Sequence, residues 1–426
     1  MSPAAPTLTR RELGRATLAR QLLLERAPLG AEDAVGRLGG LQAQEPRPPF
    51  VALWSRLEGP VHDDLGRAIA ERRVVRGMAM RATLHLQTAA DHLATRAALE
   101  PVMARAAKVL GDRAGGLDPE AVLAEARAYL EAGPHTFTET RDHLSERFPG
   151  VNPRALGYTA RTGLPLVMVP GDGRWSYPAD APFTTTEAWL GASPDPSAGP
   201  EALVLRHLAA FGPASAADVQ AWSGLTGVAA GLKGLAPELP VVSGQAGRTL
   251  YDLHGAPRPD TDTPAPARFL PDFDSLVLAH ADRTRVLAEE HRPHLVTRNL
   301  RVRATFLWDG EVAGTWTVER VRRSAVLRAI PFARLPRGAT AALRDEAERL
   351  VRFVEPEAAS HDVSVEPPGP PRGSTPEQTC RPAARSTRAG PGPGARRRAR
   401  GSARSSPPGT RRSPPGRRRP RTAPTP

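Results

Sequence analysis

The sequence predicts an α+β fold with three tandem winged-helix domains, a C-terminal barrel-like β domain and a disordered tail. Three observations lead to this prediction. A pattern of three helices followed by two short alternating strands occurs three times between residues 8 and 254. Strand-like runs then dominate residues 264–365, and residues 367–426 lack the apolar side chains that a folded core requires.

The first copy of the pattern occupies residues 8–88. Its predicted helices are Arg11–Arg26, Ala31–Gln44 and Asp63–Arg72, and its predicted strands are Val74–Met80 and Thr83–Gln87. Three helices followed by a hairpin are typical of a winged helix, in which the hairpin forms the wing.

The second and third copies occupy residues 89–180 and 199–254. The second has predicted helices Pro119–Leu130, Glu139–Phe148 and Pro153–Arg161, followed by strands Leu166–Val169 and Arg174–Tyr177 around a Gly-Asp-Gly turn. The third has predicted helices Glu201–Phe211, Ala216–Trp222 and Gly227–Leu235, followed by strands Val241–Val242 and Thr249–Leu253. Three occurrences make a chance pattern less probable.

Residues 264–365 change in character to short β-rich runs. The predicted strands are Leu276–Ala279, Arg301–Trp308, Val312–Val318 and Val326–Ile330, followed by a closing helix over Ala339–Val354. A small barrel or sheet domain is therefore expected here.

The net charge of +13 comes from the end of the chain. Residues 367–426 contain 15 Arg, no Lys and one acidic residue, Glu377, which leaves residues 1–366 at −1. This segment is predicted to be disordered. It is either an arginine-rich arm that attracts phosphates or an out-of-frame translation of GC-rich DNA, so the net charge alone does not establish DNA binding.

The rest of the composition excludes several classes of protein. No apolar run approaches the roughly 20 residues that a membrane span needs, and the N-terminus has no secretory signal pattern. The single cysteine, Cys380, excludes an internal disulfide framework and a thiolate zinc site. We therefore expect a soluble cytoplasmic protein without membrane contact.

The sequence lacks several common catalytic motifs. The chain has no nucleophile elbow, Walker loop, dinucleotide fingerprint or HExxH zinc motif. Asp272 and Asp274 could hold a cation near a strand, but Arg283 and Arg285 offer them an ordinary ion-pair explanation. No metal site and no cofactor are predicted.

The segment from residue 39 to residue 49 is unusual because glycines and prolines bracket two glutamines, Gln42 and Gln44. Pro46 disfavours helical geometry at the residue before it, so the helix predicted over Ala31–Gln44 should end here. The glutamines would then converge on a ligand at a helix end. A solvated helix end is the alternative, and spacing alone favours it.

The chain resembles the bacterial winged-helix DNA glycosylase superfamily, whose members include the azinomycin-resistance, AlkZ-like enzymes. The resemblance extends from about Leu8 to about Val365 and is carried by Leu41–Arg47, Ala52–Leu57, Met80–Leu86, Phe273–Asp274 and Asp282–Arg285. It implies tandem winged helices and a C-terminal β-barrel arranged as a C-shaped clamp. One branch of the family carries Gln, an apolar residue and Gln as its catalytic motif, and Gln42-Ala43-Gln44 is similar to it.

The resemblance also implies a function: a monofunctional glycosylase that hydrolyses the bond to N7-alkylated purines. It does not decide between simple alkylpurines and bulky interstrand crosslinks, because related enzymes differ in this respect. Gln42 and Gln44 would be catalytic, with Gln44 positioning the water and Gln42 orienting the water or the sugar. The expected partner is double-stranded DNA carrying alkylated purines. The expected DNA contacts are Arg47, Arg81, Thr83, His85, Arg283 and Arg285.

Two other functions remain open at this stage. A non-catalytic winged-helix protein, either a regulator or a scaffold, would share the architecture, and so would a relative that has lost its activity. A regulator is usually a symmetric dimer on paired half-sites, whereas three unlike winged helices can clamp a duplex as a monomer. We therefore expect a monomeric enzyme associated with the nucleoid.

Overall fold

The computed structural model describes residues 6–244, 247–297 and 301–369. The elements below all belong to one compact unit within residues 1–374. Residues 370–426, which form nearly all of the predicted tail, lie outside the described residues, so the predictions about the tail stay predictions.

The helices are α1 (Arg10–Arg20), α2 (Ala31–Arg37), α3 (Arg47–Trp54), α4 (Val61–Ala70), α5 (Ala89–Thr95), α6 (Glu100–Ala107), α7 (Pro119–Ala132), α8 (Phe137–Arg147), α9 (Pro153–Gly163), α10 (Thr186–Leu190), α11 (Pro200–Phe211), α12 (Ala216–Ser223), α13 (Val228–Leu235), α14 (Arg292–Leu295) and α15 (Ala339–Val354). The strands are β1 (Leu41–Gln42), β2 (Val74–Met78), β3 (Leu84–Thr88), β4 (Leu166–Met168), β5 (Phe183–Thr185), β6 (Val241–Ser243), β7 (Thr249–Tyr251), β8 (Arg268–Leu270), β9 (Thr305–Trp308), β10 (Glu311–Val321), β11 (Ser324–Pro331) and β12 (Ser360–Val365).

Local signals explain where several helices begin. Reciprocal hydrogen bonds between a hydroxyl side chain and an acidic side chain three residues later cap three helices: Thr9 with Glu12 on α1, Thr136 with Glu139 on α8, and Ser215 with Asp218 on α12. Proline occupies the first turn of α7, α9 and α11, where its missing N–H has no helical partner to lose.

The first sheet has the strand order β1-β3-β2-β4-β5. The hairpin β2–β3 is antiparallel, with Val74 opposite Thr88, and β1 pairs with the outer edge of β3. Strand β4 pairs with β2, so that Arg76 lies opposite Met168. Strands from the first two predicted domains therefore share one sheet, which has β1 at its edge.

The second sheet has the order β12-β11-β10-β9-β8, and within the described residues it is open rather than closed into a barrel. Its core contains Phe269, Phe306 and Trp316, together with Leu343 and Leu350 of α15. Strands β11 and β12 are parallel, and α15 forms the crossover between them. The barrel-like prediction is thus wrong, because a helix rather than the sheet itself covers the apolar face.

Other element predictions also need correction. Leu276–Ala279 is not a strand but contains a 3₁₀ turn, Ser275–Val277, capped by the Asp274 side chain. Arg174–Tyr177 does not pair with β4, because the more distant β5 takes that position. The third hairpin, β6–β7, lies where it was predicted, as does α15. None of the described helices is long and apolar enough to cross a membrane.

Candidate active site

A pair of left-handed glycines places the two glutamines. Gly39 and Gly40 have φ values of +71° and +85°, which side-chain-bearing residues rarely adopt. A Cβ on Gly40 would also lie 3.1 Å from the Leu86 carbonyl oxygen. The chain therefore leaves α2 at Arg37 and becomes a strand by Leu41, so the predicted helix over Ala31–Gln44 is too long.

The two glutamines lie at the end of the edge strand β1. Gln42 pairs opposite His85, and the Ala43 amide donates to the Leu84 carbonyl oxygen at 2.7 Å. Ala43 is 1% exposed and packs in the core. Gln42 is the last residue of β1, and Gln44 lies in the bend between β1 and α3. The pair is therefore at the end of an edge strand rather than at the predicted helix end.

The Gln42 side chain has a fixed orientation. It is 8% exposed, and its Oε1 accepts a hydrogen bond of 2.7 Å from Nη2 of Arg81. Since a guanidinium group can only donate, Oε1 must face Arg81, and the Gln42 amide NH2 must face away from it. Arg81 also donates to the Trp222 carbonyl oxygen. Burial, with a contribution from Arg283, lowers the pKa of Arg81 to about 10, which leaves it charged at neutral pH.

Gln44 is exposed and less constrained. Its Oε1 lies 3.5 Å from the Leu84 amide nitrogen, at the long limit of a hydrogen bond. Its backbone is held more firmly, because Arg76 donates to the carbonyl oxygens of Ala43 at 2.9 Å and Gln44 at 3.2 Å. The side chain of Gln44 is therefore available to a ligand.

Arg76, in β2, was not among the predicted site residues, yet it is 3% exposed and holds the backbone of Ala43 and Gln44. Its guanidinium lies 5.1 Å from the centre of the Tyr177 ring, and burial lowers its pKa to about 10. The sequence did contain a sign of this supporting role: Arg76 stands in the middle of a strand of mostly apolar residues. A cation buried there needs hydrogen-bond acceptors inside the protein.

Thr83 and His85 have structural contacts. The Thr83 hydroxyl donates to the Met80 carbonyl oxygen at 3.0 Å, within the turn that carries Arg81. His85 is 1% exposed, and its Nδ1 donates to the Thr83 carbonyl oxygen at 3.0 Å. Burial, followed by the charge of Arg81, lowers the pKa of His85 to about 3, so the ring is neutral. The prediction that His85 contacts DNA directly does not fit this burial.

Arg283 and Arg285 differ from each other. Arg285 is 4% exposed, and its Nη1 donates to the Pro213 carbonyl oxygen at 2.9 Å and to the Thr17 hydroxyl at 3.1 Å. The guanidinium group forms its hydrogen bonds inside the protein, so the prediction that Arg285 contacts DNA is also corrected. Arg283 is half-buried, and burial, reinforced by Arg292, lowers its pKa.

The residues after Gln44 connect the site to the second sheet. Glu45 forms an ion pair of 2.7 Å with Arg301, which also contacts Asp272 at 3.2 Å. Arg47, at the start of α3, lines a cavity of about 300 Å³ together with Asp272, Arg301, Arg303 and the threonines of β10. Charged and apolar side chains both line this cavity, and the ion pair of Arg301 with Glu45 connects it to the residues after Gln44.

Within residues 6–244, 247–297 and 301–369, no group of three or more His, Cys, Asp or Glu side chains is placed to hold a metal ion. The two glutamine side chains are amides and do not titrate. Their chemistry is limited to donating and accepting hydrogen bonds and to orienting dipoles.

Comparison with known proteins adds an independent line of evidence. The family model described as DNA glycosylase AlkZ-like matches residues 35–353. An interstrand DNA cross-link repair glycosylase from Streptomyces sahachiroi is 26% identical over 373 residues, which are 80% of this chain and 92% of that protein. The solved structure of Streptomyces sahachiroi DNA glycosylase AlkZ is similar in fold, with a TM-score of 0.69 and 23% identity, over 85% of this chain and 100% of that one.

Proposed function

This chain belongs to the AlkZ-like DNA glycosylase family and is a DNA glycosylase, and we propose that it hydrolyses the N-glycosidic bond of N7-alkylated purines in double-stranded DNA. The observation that carries this proposal is a pair of amides at the end of an edge strand, where Arg81 orients Gln42 and the neighbouring Gln44 is exposed. The family match disfavours the alternative of a non-catalytic DNA-binding protein.

The chemistry of an N7-alkylated purine suits a site made of amides. The modified base is already cationic and leaves as a neutral molecule, so the reaction needs no strong general acid. The sugar left behind develops positive charge, which oriented oxygen dipoles stabilise. A positioned water then bonds to the sugar and releases its proton to the solvent. We assign the water to Gln44, whose exposed carbonyl oxygen has only the weak contact with the Leu84 amide.

Gln42 has a different role in this proposal. Its carbonyl oxygen is already bonded to the cationic Arg81, which makes it a poor partner for a second positive charge. Its NH2 group remains as a donor, which can orient the attacking water or a sugar oxygen. In this proposal, the NH2 group of Gln42 orients the water or the sugar, and the carbonyl oxygen of Gln44 positions the attacking water.

We propose that the enzyme is monofunctional, with water as the nucleophile. Glycosylases that also cleave the strand require an amine that forms a Schiff base with the sugar. The chain contains two lysines, Lys108 and Lys233, and both are exposed outside the strands that hold the glutamines.

The DNA contacts that we retain are Arg47, Thr83 and Arg283. Arg47 lines the cavity beside Arg301 and Arg303, where an arginine can bind a phosphate through its planar donors. Thr83 lies in the partly exposed turn after Arg81. Residues 1–366 carry a net charge of −1, so local clusters must provide the phosphate attraction.

The architecture suggests how a duplex is bound. We propose winged helices at residues 8–88, 89–180 and 199–254 and a β-rich domain at residues 264–365, which together clamp DNA as a monomer associated with the nucleoid. Since a relative is named for cross-link repair, we extend the proposed substrates to interstrand crosslinks. A bulky crosslinked base cannot enter a snug pocket, so full nucleotide flipping is not required.

Base release from defined duplexes tests this function. We expect the full chain to release N7-methylguanine from one duplex and to separate the strands of another that carries an N7-linked crosslink. The product should be an abasic site that breaks only after alkali, and borohydride should trap no covalent protein–DNA adduct. Release of neither base, with DNA binding intact, would contradict the proposed substrates, and a trapped adduct would contradict the monofunctional mechanism.

A further inference from the structure

We propose that Arg81 is a positioning residue of the glycosylase site rather than a DNA contact, and that it couples Gln42 to helix α12. The inference rests on the proposed role of Gln42. It starts from the two hydrogen bonds of one guanidinium group, which join Gln42 to Trp222, the penultimate residue of α12.

Both terminal nitrogens of Arg81 are engaged inside the protein. Nη2 donates to the Gln42 side chain at 2.7 Å, and Nη1 donates to the Trp222 carbonyl oxygen. A guanidinium presents its donors in a rigid plane, so the second bond fixes the direction of the first. Contact with a phosphate through these two nitrogens would require breaking bonds that hold the candidate site together.

The backbone around Arg81 is equally constrained. Arg81 and Ala82 have φ values of +56° and +53°, and the Thr83 hydroxyl closes the turn on the Met80 carbonyl oxygen. Left-handed geometry at two consecutive non-glycine residues is strained and needs support from its surroundings. Gly224, just after α12, provides close support, because a Cβ there would lie 3.0 Å from the Arg81 Cα.

The consequence for catalysis concerns the orientation of one amide. Without Arg81, the Gln42 carboxamide could rotate by a half turn and exchange its oxygen and nitrogen. His85 is the cross-strand neighbour of Gln42, and its Nε2 is buried without a hydrogen-bond partner among the described residues. Because Nδ1 donates to the Thr83 carbonyl oxygen, Nε2 of His85 can accept a hydrogen bond but cannot donate one to the oxygen of a rotated Gln42.

Two pairs of variants test the proposal. Arg81→Met removes both hydrogen bonds, and Arg81→Lys keeps the charge but cannot span both acceptors with one ammonium group. Gly224→Ala and Gly227→Ala both replace a left-handed glycine, with φ values of +81° and +74°. Only the new Cβ at position 224 would meet Arg81, because nothing lies within 4 Å of the position at Gly227.

The readouts are the single-turnover rate of N7-methylguanine release and the salt dependence of duplex binding. We expect Arg81→Met and Arg81→Lys to lower the rate by about 10²-fold, as misplacement of a catalytic group does. The slope of log K against log salt should stay unchanged in both. Gly224→Ala should lower the rate in the same direction, while Gly227→Ala retains it.

A direct phosphate contact would give the opposite result. Loss of one such contact reduces the salt slope by about 1, so a reduced slope with an unchanged saturating rate in Arg81→Met overturns the proposal. Equal losses in the two glycine variants would also overturn the coupling to α12. The slope can be measured on unmodified duplex, so failure of the wild type to release base would count against the proposed substrate and not against this assignment.

Discussion

At the scale of single residues, Gln42 and Gln44 differ in surroundings although one residue separates them. Gln42 is buried, and its carbonyl oxygen is bonded to a cation, whereas Gln44 is exposed and has only a long contact from the Leu84 amide. A uniform role for the two amides does not fit this difference. One is held by the protein, and the other is free to meet the substrate.

Replacing each glutamine by glutamate should therefore give different results. Gln44→Glu keeps an oxygen acceptor for the water and adds negative charge beside the cationic sugar, so we expect base release within about tenfold of the wild type. Gln42→Glu pairs with Arg81 but loses the NH2 donor, and we expect a fall on the order of 10²-fold in the single-turnover rate. Duplex binding provides the control, and equal losses in both variants would contradict the division of roles.

At the scale of elements, the site depends on β1, a strand of two residues that would not persist alone. It is fixed by the left-handed glycines before it, by its pairing with β3, and by Arg76, which reaches the carbonyl oxygens after it from β2. A small change in any of these elements moves both glutamines together.

Gly40→Ala tests this dependence, with Gly116→Ala as its match. Both positions are left-handed, with φ values of +85° and +72°, so each substitution should lower the free energy of unfolding by about 1 kcal/mol through backbone strain. Only the Cβ at position 40 would also press on the Leu86 carbonyl oxygen, at 3.1 Å. Gly40→Ala should therefore lower the base-release rate. Full activity of this variant would contradict the claim that the left-handed pair Gly39-Gly40 places the glutamines.

Two helices show what could and could not be predicted from the sequence. The bounds of α15 match the prediction, because its apolar residues repeat with helical spacing and it is long. The helix over Ala31–Gln44 was predicted too long because Leu38 and Leu41 continue that spacing. Apolar periodicity does not encode the left-handed φ of the glycines, so β1 was missed, while Gln42 and Gln44 were assigned as catalytic by resemblance.

The supporting residues of the site were harder to predict. Arg81 meets Trp222 across 141 positions of sequence, and Arg76 meets Ala43 across 33. Such pairs are set by tertiary packing, which a local pattern does not contain. The predictions for His85 and Arg285 failed for the same reason, since both looked like exposed polar residues in the sequence and are buried in the fold.

At the scale of the whole molecule, several histidines are buried in their neutral form. Desolvation lowers the pKa of His85 and His92 to about 3 each, and it also lowers the pKa values of His207 and His280. Each ring is held by hydrogen bonds within the core, as His92 is by the Thr186 hydroxyl at 2.9 Å. Unfolding exposes these rings to water, where they can bind protons.

Stability should therefore fall as the solution becomes acidic. Below pH 6.5, the ordinary histidine pKa, the unfolded chain binds protons that the folded chain excludes. Each such histidine then contributes a loss of up to about 1.4 kcal/mol per pH unit, until the pH approaches its folded pKa. Urea denaturation across this range measures the slope. His92→Asn should reduce it and the matched His254→Asn at an exposed position should not, whereas a flat profile would contradict the burial of neutral rings.

The central claim is that an exposed amide oxygen on Gln44 positions the water that releases the base. The most direct measurement is the single-turnover release of N7-methylguanine by wild type and Gln44→Ala, with duplex affinity measured on the same samples. The account predicts unchanged affinity and a rate lower by on the order of 10²–10³-fold in the variant. Equal release rates for the two proteins would contradict it.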